Sequence, residues 1–180
     1  MQAISSIVRQ AVPEDANACV AIYRPYVEDT AISWEIAVPP VDEMAARIAG
    51  LRATHEWLVL ERKDQLVGFA YGQPLKRLGT FQWSTETGIY MRADHHRTGG
   101  GRELYAQLLR RLTERGYRQA FAGITQPNAA SNGFHRSFGF QDVGLYRHAE
   151  WKHGSWHDIA WMQLDLLDAA ERHRPPGPIV

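Results

Sequence analysis

The chain has 180 residues and is 44% hydrophobic, enough for one well-buried core and, by default, one domain. Its 20 basic and 20 acidic residues cancel, which removes the cationic footprint of a nucleic-acid binder. The single cysteine, Cys19, excludes an internal disulfide and a cysteine metal cluster. No apolar run approaches the roughly 20 residues that span a bilayer, and MQAISSIVRQAVPED lacks a signal-peptide core. A soluble cytoplasmic protein, with no membrane or nucleic-acid partner, is the expectation.

Ile4 to Val12 reads as a strand, and Pro13 with Glu14 and Asp15 suits the first turn of a helix. Ala16, Cys19, Val20, Tyr23 and Val27 then recur at helical spacing, and Pro25 is expected to kink or end that helix. Tyr26 to Trp34 becomes a loop able to lean over a pocket. Asp42 is placed as the cap of a second helix with apolar positions Met44, Ile48 and Leu51. WLVLE, a KDQ turn and LVGFAYG predict an antiparallel hairpin. Pro74 to Gly79 reads as a loop and Phe81 to Met91 as a longer strand.

From Gly101 to Arg115, Leu104, Leu108 and Leu112 share one helical face, and Gly116 stops the helix. A short strand from Gln119 to Ile124 precedes a short helix capped by Asn128 and ending at Gly139. Gln141 to His148 and Glu150 to His153, a turn at Gly154, and Trp156 to Leu166 make a last hairpin. This order predicts a mixed α/β (α+β) sheet with helices on both sides, in a single domain over 1–167. The polar, proline-rich stretch 168–180 is left as an unfolded tail.

Within this layout, Trp83 to Tyr105 concentrates the chemistry. A strand carrying Glu86 leads into Arg97, Thr98, Gly99, Gly100, Gly101 and Arg102 at a helix start, where uncapped amides and flanking arginines suit a pyrophosphate. A Walker loop is disfavoured because no lysine follows the glycines. On a regular strand Glu86, Gly88 and Tyr90 share one face and Thr85, Thr87, Ile89 and Met91 the other.

Three segments resemble the GCN5-related N-acetyltransferases, and among them the phosphinothricin and methionine sulfone or sulfoximine acetyltransferase group. HRTGGG at 96–101 is similar to the acyl-CoA pyrophosphate loop, with His96 where glutamine or arginine is usual. N-x-x-S-x-x-x-H-x-x-x-G-F, from Asn128 to Phe140, resembles the segment beside the pantetheine arm. KHGSWHDIAWMQLDL, from Lys152 to Leu166, is similar to a C-terminal signature of the group. The resemblance implies a twisted, mostly antiparallel sheet of about seven strands, acetyl-CoA as cosubstrate and a homodimer.

It also implies roles. Glu86 would be the general base, Ile89, Tyr90 and Met91 would bind pantetheine through the backbone, and Asn128 and Ser131 would flank it. His135 would assist the departing thiol, with Tyr146 as the fallback acid. For the acceptor, Lys76 and Arg77 are candidates to pair with a carboxylate or phosphinate, Trp34 and Tyr26 to form an apolar wall, and Thr85 and Thr87 to complete it. His153, His157 and Asp158, or His95 with His96, lack the spacing of a metal site, and no metal is expected. A protein N-terminal or lysine acetyltransferase and a non-catalytic CoA sensor are the competing readings.

Overall fold

The computed structural model describes residues 6–167, 171 and 176–180. Its strands are β1 (Ser6–Gln10), β2 (Trp57–Arg62), β3 (Gln65–Pro74), β4 (Ser84–Met91), β5 (Gln119–Thr125), β6 (Gln141–Lys152) and β7 (Ser155–Asp165). The helices are α1 (Ala16–Glu28), α2 (Val41–Thr54), α3 (Gly100–Arg115) and α4 (Ala129–Arg136). One sheet forms in the order β1-β2-β3-β4-β5-β7-β6, antiparallel except between β4 and β5. The mixed α/β architecture expected from the sequence is present. Among the described residues, no helix is long and apolar enough to cross a membrane.

The continuous apolar run of β2 follows from burial on both faces. Trp57 and Val59 pack against Cys19, Val20, Tyr23, Met44 and Ile48 of α1 and α2. Leu58 and Leu60 pack on the other side against Leu104, Leu108 and Leu112 of α3. Each such side chain, fully removed from water, contributes about 1.5–3 kcal/mol. The β2–β3 hairpin closes through Lys63 and Asp64, both left-handed at φ 50° and 59°, as a two-residue turn requires.

Several boundaries differ from expectation. α1 continues three residues beyond Pro25 to Glu28. The proline costs one helical hydrogen bond, while burial of Tyr23 and Val27 on either side keeps the turn in place. Asp42 lies inside α2, which is preceded by Pro40 at the cap position. Phe81 ends a short 3₁₀ turn from Gly79, so β4 starts only at Ser84.

Of the stretch expected to be unfolded, 168–170 and 172–175 lie outside the described residues. Its last residues are docked without regular structure: Trp83 Nε1 donates to Gly177 O at 2.8 Å, and Val180 N donates to Arg115 O at 3.1 Å. Ile179 also packs against the α3 core, an apolar contact that the polar composition of the stretch concealed.

Candidate active site

β4 and β5 pair only over Ser84–Glu86 against Gln119–Phe121. Beyond that point β4 stays with β3 and β5 with β7, so the strands part and their facing main-chain groups lose the ladder. Thr87 closes the fork: its Oγ1 donates to Phe121 O at 3.1 Å and accepts from the Tyr105 hydroxyl at 2.7 Å. A cleft of about 260 Å³ opens there, lined by β4 from Glu86 to Tyr90, by β5 from Ala122 to Thr125, and by Trp34, Asn128, Ser131 and His135.

Glu86 stands at the apex of the fork, opposite Gln73 in the β3 register. Burial pushes its carboxyl pKa up, and this outweighs the hydrogen bond from Gln73 and the charge of Lys76, both of which pull it down. A carboxylate in that environment binds a proton more tightly than a solvated glutamate does, which suits a base facing an ammonium group.

His135 is buried on α4, with its ring edge-on to Tyr105 and Phe140. Its Nδ1 lies 2.9 Å from Ser131 O and donates to it, so Nε2 is the nitrogen left to the cleft. Burial lowers the pKa of the imidazole, against the smaller opposing effect of the Ser131 carbonyl. Asn128 does cap α4, accepting from Ser131 N at 3.0 Å.

The loop before α3 offers main chain rather than side chains. Arg97 and Gly99 are left-handed at φ 58° and 83°, and no side chain caps α3, so its first amides are left to a ligand. The side chains, though exposed, bond to the protein itself. His96 Nε2 lies 3.1 Å from Met91 O, Thr98 Oγ1 accepts from Arg62 at 2.7 Å, and Arg102 donates to Ser137 Oγ at 3.0 Å while lying over the Phe138 ring. An anion at this helix start gains about 0.3–1 kcal/mol from the dipole.

Trp34 lines one wall of the cleft. Its Nε1 donates to Thr125 Oγ1 at 2.8 Å, and its ring crosses β5 at Gly123, where an added Cβ would sit 2.4 Å from the ring. Thr87, Ile89 and Tyr90 line the cleft, the Tyr90 ring being packed against Tyr23 and Tyr26 on the opposite sheet face.

Other expected site residues lie elsewhere. Tyr26 donates to Met91 O at 2.5 Å, which ties α1 to the end of β4 and occupies the Met91 carbonyl. Thr85 is fully buried, donating to Gln73 O at 3.0 Å on the α3 side of the sheet. Arg77 and Lys76 line a second cavity with Phe81, Tyr117 and Ile179, and Lys76 reaches Glu86 only through its field. Tyr146 is exposed on β6 against Trp161 and outside the cleft.

The histidines set aside as metal ligands bond backbone carbonyls: His153 Nε2 is 3.2 Å from Thr30 O and His157 Nε2 is 3.0 Å from Lys152 O. Among the described residues, no three His, Cys, Asp or Glu side chains converge on a metal site. Cys19 is buried in the α1 core, which pushes its thiol pKa up to about 12.

The cleft also contains residues that the sequence reading missed: Tyr23, Glu35, Arg47, Tyr71 and Gln73. Arg47 carried a usable signal, a cation within the apolar stripe of Met44, Ile48 and Leu51. Gln73 could be found only from the register that sets it opposite Glu86.

A family model described as "Acetyltransferase (GNAT) domain" matches residues 8–161. The chain is 30% identical to a phosphinothricin N-acetyltransferase of Streptomyces viridochromogenes, over 96% of this chain and 92% of that protein. It is 32% identical to an L-methionine sulfoximine/L-methionine sulfone acetyltransferase of Pseudomonas paraeruginosa, over 91% and 96% respectively. A crystal structure of a GNAT superfamily phosphinothricin acetyltransferase from Sinorhizobium meliloti, in complex with AcCoA, superimposes with TM-score 0.90 at 28% identity, over 97% of this chain and 94% of that one.

Proposed function

This chain belongs to the acetyltransferase (GNAT) family, and we propose that it transfers acetyl from acetyl-CoA to the primary amine of a small amino-acid-like acceptor such as phosphinothricin, methionine sulfone or methionine sulfoximine. The observation that carries this reading is Glu86. Its proton-hungry carboxyl stands where β4 and β5 part, in one cleft with His135.

The residues present suit the cosubstrate. Uncapped amides from Arg97 to Gly101 would hold its pyrophosphate, and β4 from Gly88 to Tyr90, freed from the β5 ladder, would hold its pantetheine arm beside Asn128 and Ser131. Bound acetyl-CoA supplies the acetyl group as an activated thioester. Glu86 accepts the proton of the acceptor ammonium, directly or through one water, so that the amine can attack. Backbone N–H groups of β4 near Ile89 are the donors available to a developing oxyanion. With Nδ1 donating to Ser131 O, the neutral His135 ring presents Nε2 as a hydrogen-bond acceptor, so it would protonate the departing thiolate only after Nε2 has itself taken up a proton. Cys19, buried and protonated, is no nucleophile, which supports direct attack in a ternary complex.

A cleft of about 260 Å³, walled by Trp34, favours a small amine over a protein terminus. Val143, Leu145, Tyr146, Trp151 and Trp156 are exposed on the β6–β7 hairpin at the sheet edge, and this apolar strip supports a homodimer. We place the enzyme in the cytoplasm, where a lone thiol stays reduced.

A thiol-release assay with methionine sulfone, methionine sulfoximine, phosphinothricin and a peptide panel tests the reaction. Saturable turnover with at least one of the three amino acids is expected, and turnover confined to peptides overturns it. Light scattering tests the dimer.

A further inference from the structure

The wall of the cleft supplied by α1, α2 and the loop between them carries an ion group that the transfer chemistry does not use. Glu35 accepts from Arg47 Nη1 at 2.6 Å, from Arg47 Nη2 at 3.2 Å and from the Tyr23 hydroxyl at 3.1 Å. Arg47 Nη2 also pairs with Glu43, one turn earlier on α2. One guanidinium therefore lies between two carboxylates; Lys152, which donates to Ser33 O at 2.6 Å and feels Glu35, is shared with Glu150, and Glu86 adds a further carboxyl to the cleft. Burial raises the phenol pKa of Tyr71, with smaller contributions from Tyr23, Glu86 and Glu35 and an opposing one from Arg47.

Two further features bear on what this wall accepts. Among the described residues, the hydrogen bonds of the Arg47 guanidinium run through Nη1 and Nη2, which clamp it in place and leave Nε–H as a further donor. Behind the pair is a hollow of about 40 Å³ whose floor is Met44, Leu51, Trp57 and Phe69. That leaves room for a small group such as a methyl, and its floor is apolar.

Resting on the acceptor reading above, we propose that the Glu35–Arg47–Glu43 group selects the acceptor by the charge of its side chain. The favoured substrate is a primary amine whose tail carries a neutral hydrogen-bond acceptor and ends in a small apolar group. A neutral oxygen takes the spare donor of Arg47 while the apolar end enters the hollow. An anionic tail meets two carboxylates for one guanidinium, and its desolvation is not repaid.

Methionine sulfone and phosphinothricin separate these cases, because both tails end in a methyl group and only the second is anionic. The experiment measures kcat/KM for both with the native enzyme, with Glu35→Gln and with Glu43→Gln, alongside thermal melts. The native enzyme is expected to prefer the sulfone by about tenfold or more, and each variant to narrow or reverse that ratio by about five- to tenfold. Should Glu35→Gln fail to fold, the half-exposed Glu43 position still reports. Equal use of both amines, preference for phosphinothricin, or a ratio unmoved in folded variants overturns the proposal and leaves the acetyltransferase reading standing. Turnover of neither amine, with peptides still consumed, removes both.

Discussion

At the α3 end of the cleft, the groups offered to a ligand are main-chain amides of one contiguous stretch, Arg97 to Gly101. At the acceptor end they are side chains delivered by α1, α2, β3, β4, β5 and the loop after α1, residues as far apart as Tyr23 and Thr125. The first kind of site depends on local backbone geometry, which a glycine at φ 83° and a helix start supply with little help from the rest of the molecule. The second depends on how helices seat on a sheet. Mutations should therefore separate the two ends, with acceptor-side changes moving acceptor kinetics and leaving acetyl-CoA binding alone.

The largest effect is expected at the fork between them. Glu86→Gln should lower kcat by roughly 10²-fold or more near neutral pH with little change in the KM for acetyl-CoA. In the native enzyme, kcat/KM should rise with pH as Glu86 ionises, with the acid limb displaced above the usual carboxylate range and absent from the variant. Undiminished activity in the variant removes Glu86 from the chemistry.

Gly123→Val places carbon where the Trp34 ring lies 2.4 Å from an added Cβ. Displacing the ring should cost about 1–3 kcal/mol of stability and raise the KM of the acceptor, not that of acetyl-CoA. Equal rises in both constants would erase the proposed division of the cleft.

A smaller effect is expected at Asn128, which caps the helix carrying His135. Asn128→Ala should cost about 1 kcal/mol, lowering the melting temperature by about 2–4 °C. Unchanged melting would mean that α4 is held by its aromatic contacts alone.

A further effect, one of pH on stability, lies remote from both ends. Burial, with a contribution from Arg115, pushes the pKa of His55 down from 6.5 to about 4. The fold thus favours the neutral ring, and this contribution is fully present above pH 6.5 and lost as pH falls toward about 4. His55→Gln should flatten the fall of melting temperature across that interval, and a parallel fall in both proteins would exclude His55 as a source of acid sensitivity.

Residues close together in sequence were the legible ones. The strand bearing Glu86, the glycine loop, α3 with its leucine stripe and the Asn128 cap all follow from period, turn chemistry and capping, which act over a few residues. Lys76 and Arg77 were misplaced because a charged loop carries no mark of which side of the sheet it covers. Tyr146 lies outside the cleft because it sits on β6, the edge strand beyond β7, a place that strand order and not local sequence decides.

By itself the sequence determined the order of the elements, the apolar body of the β2–β3 hairpin, the anion-ready start of α3 and the presence of an acidic residue on the strand before it, since each is set by neighbours within a turn or a hairpin. Only the tertiary structure decided that β4 and β5 part just past Glu86 and that Trp34, Glu35 and Arg47 meet Tyr71 and Gln73 across the gap. Those meetings depend on register and on the seating of α1 and α2. Both are fixed by burial summed over the whole core and by no single stretch of chain.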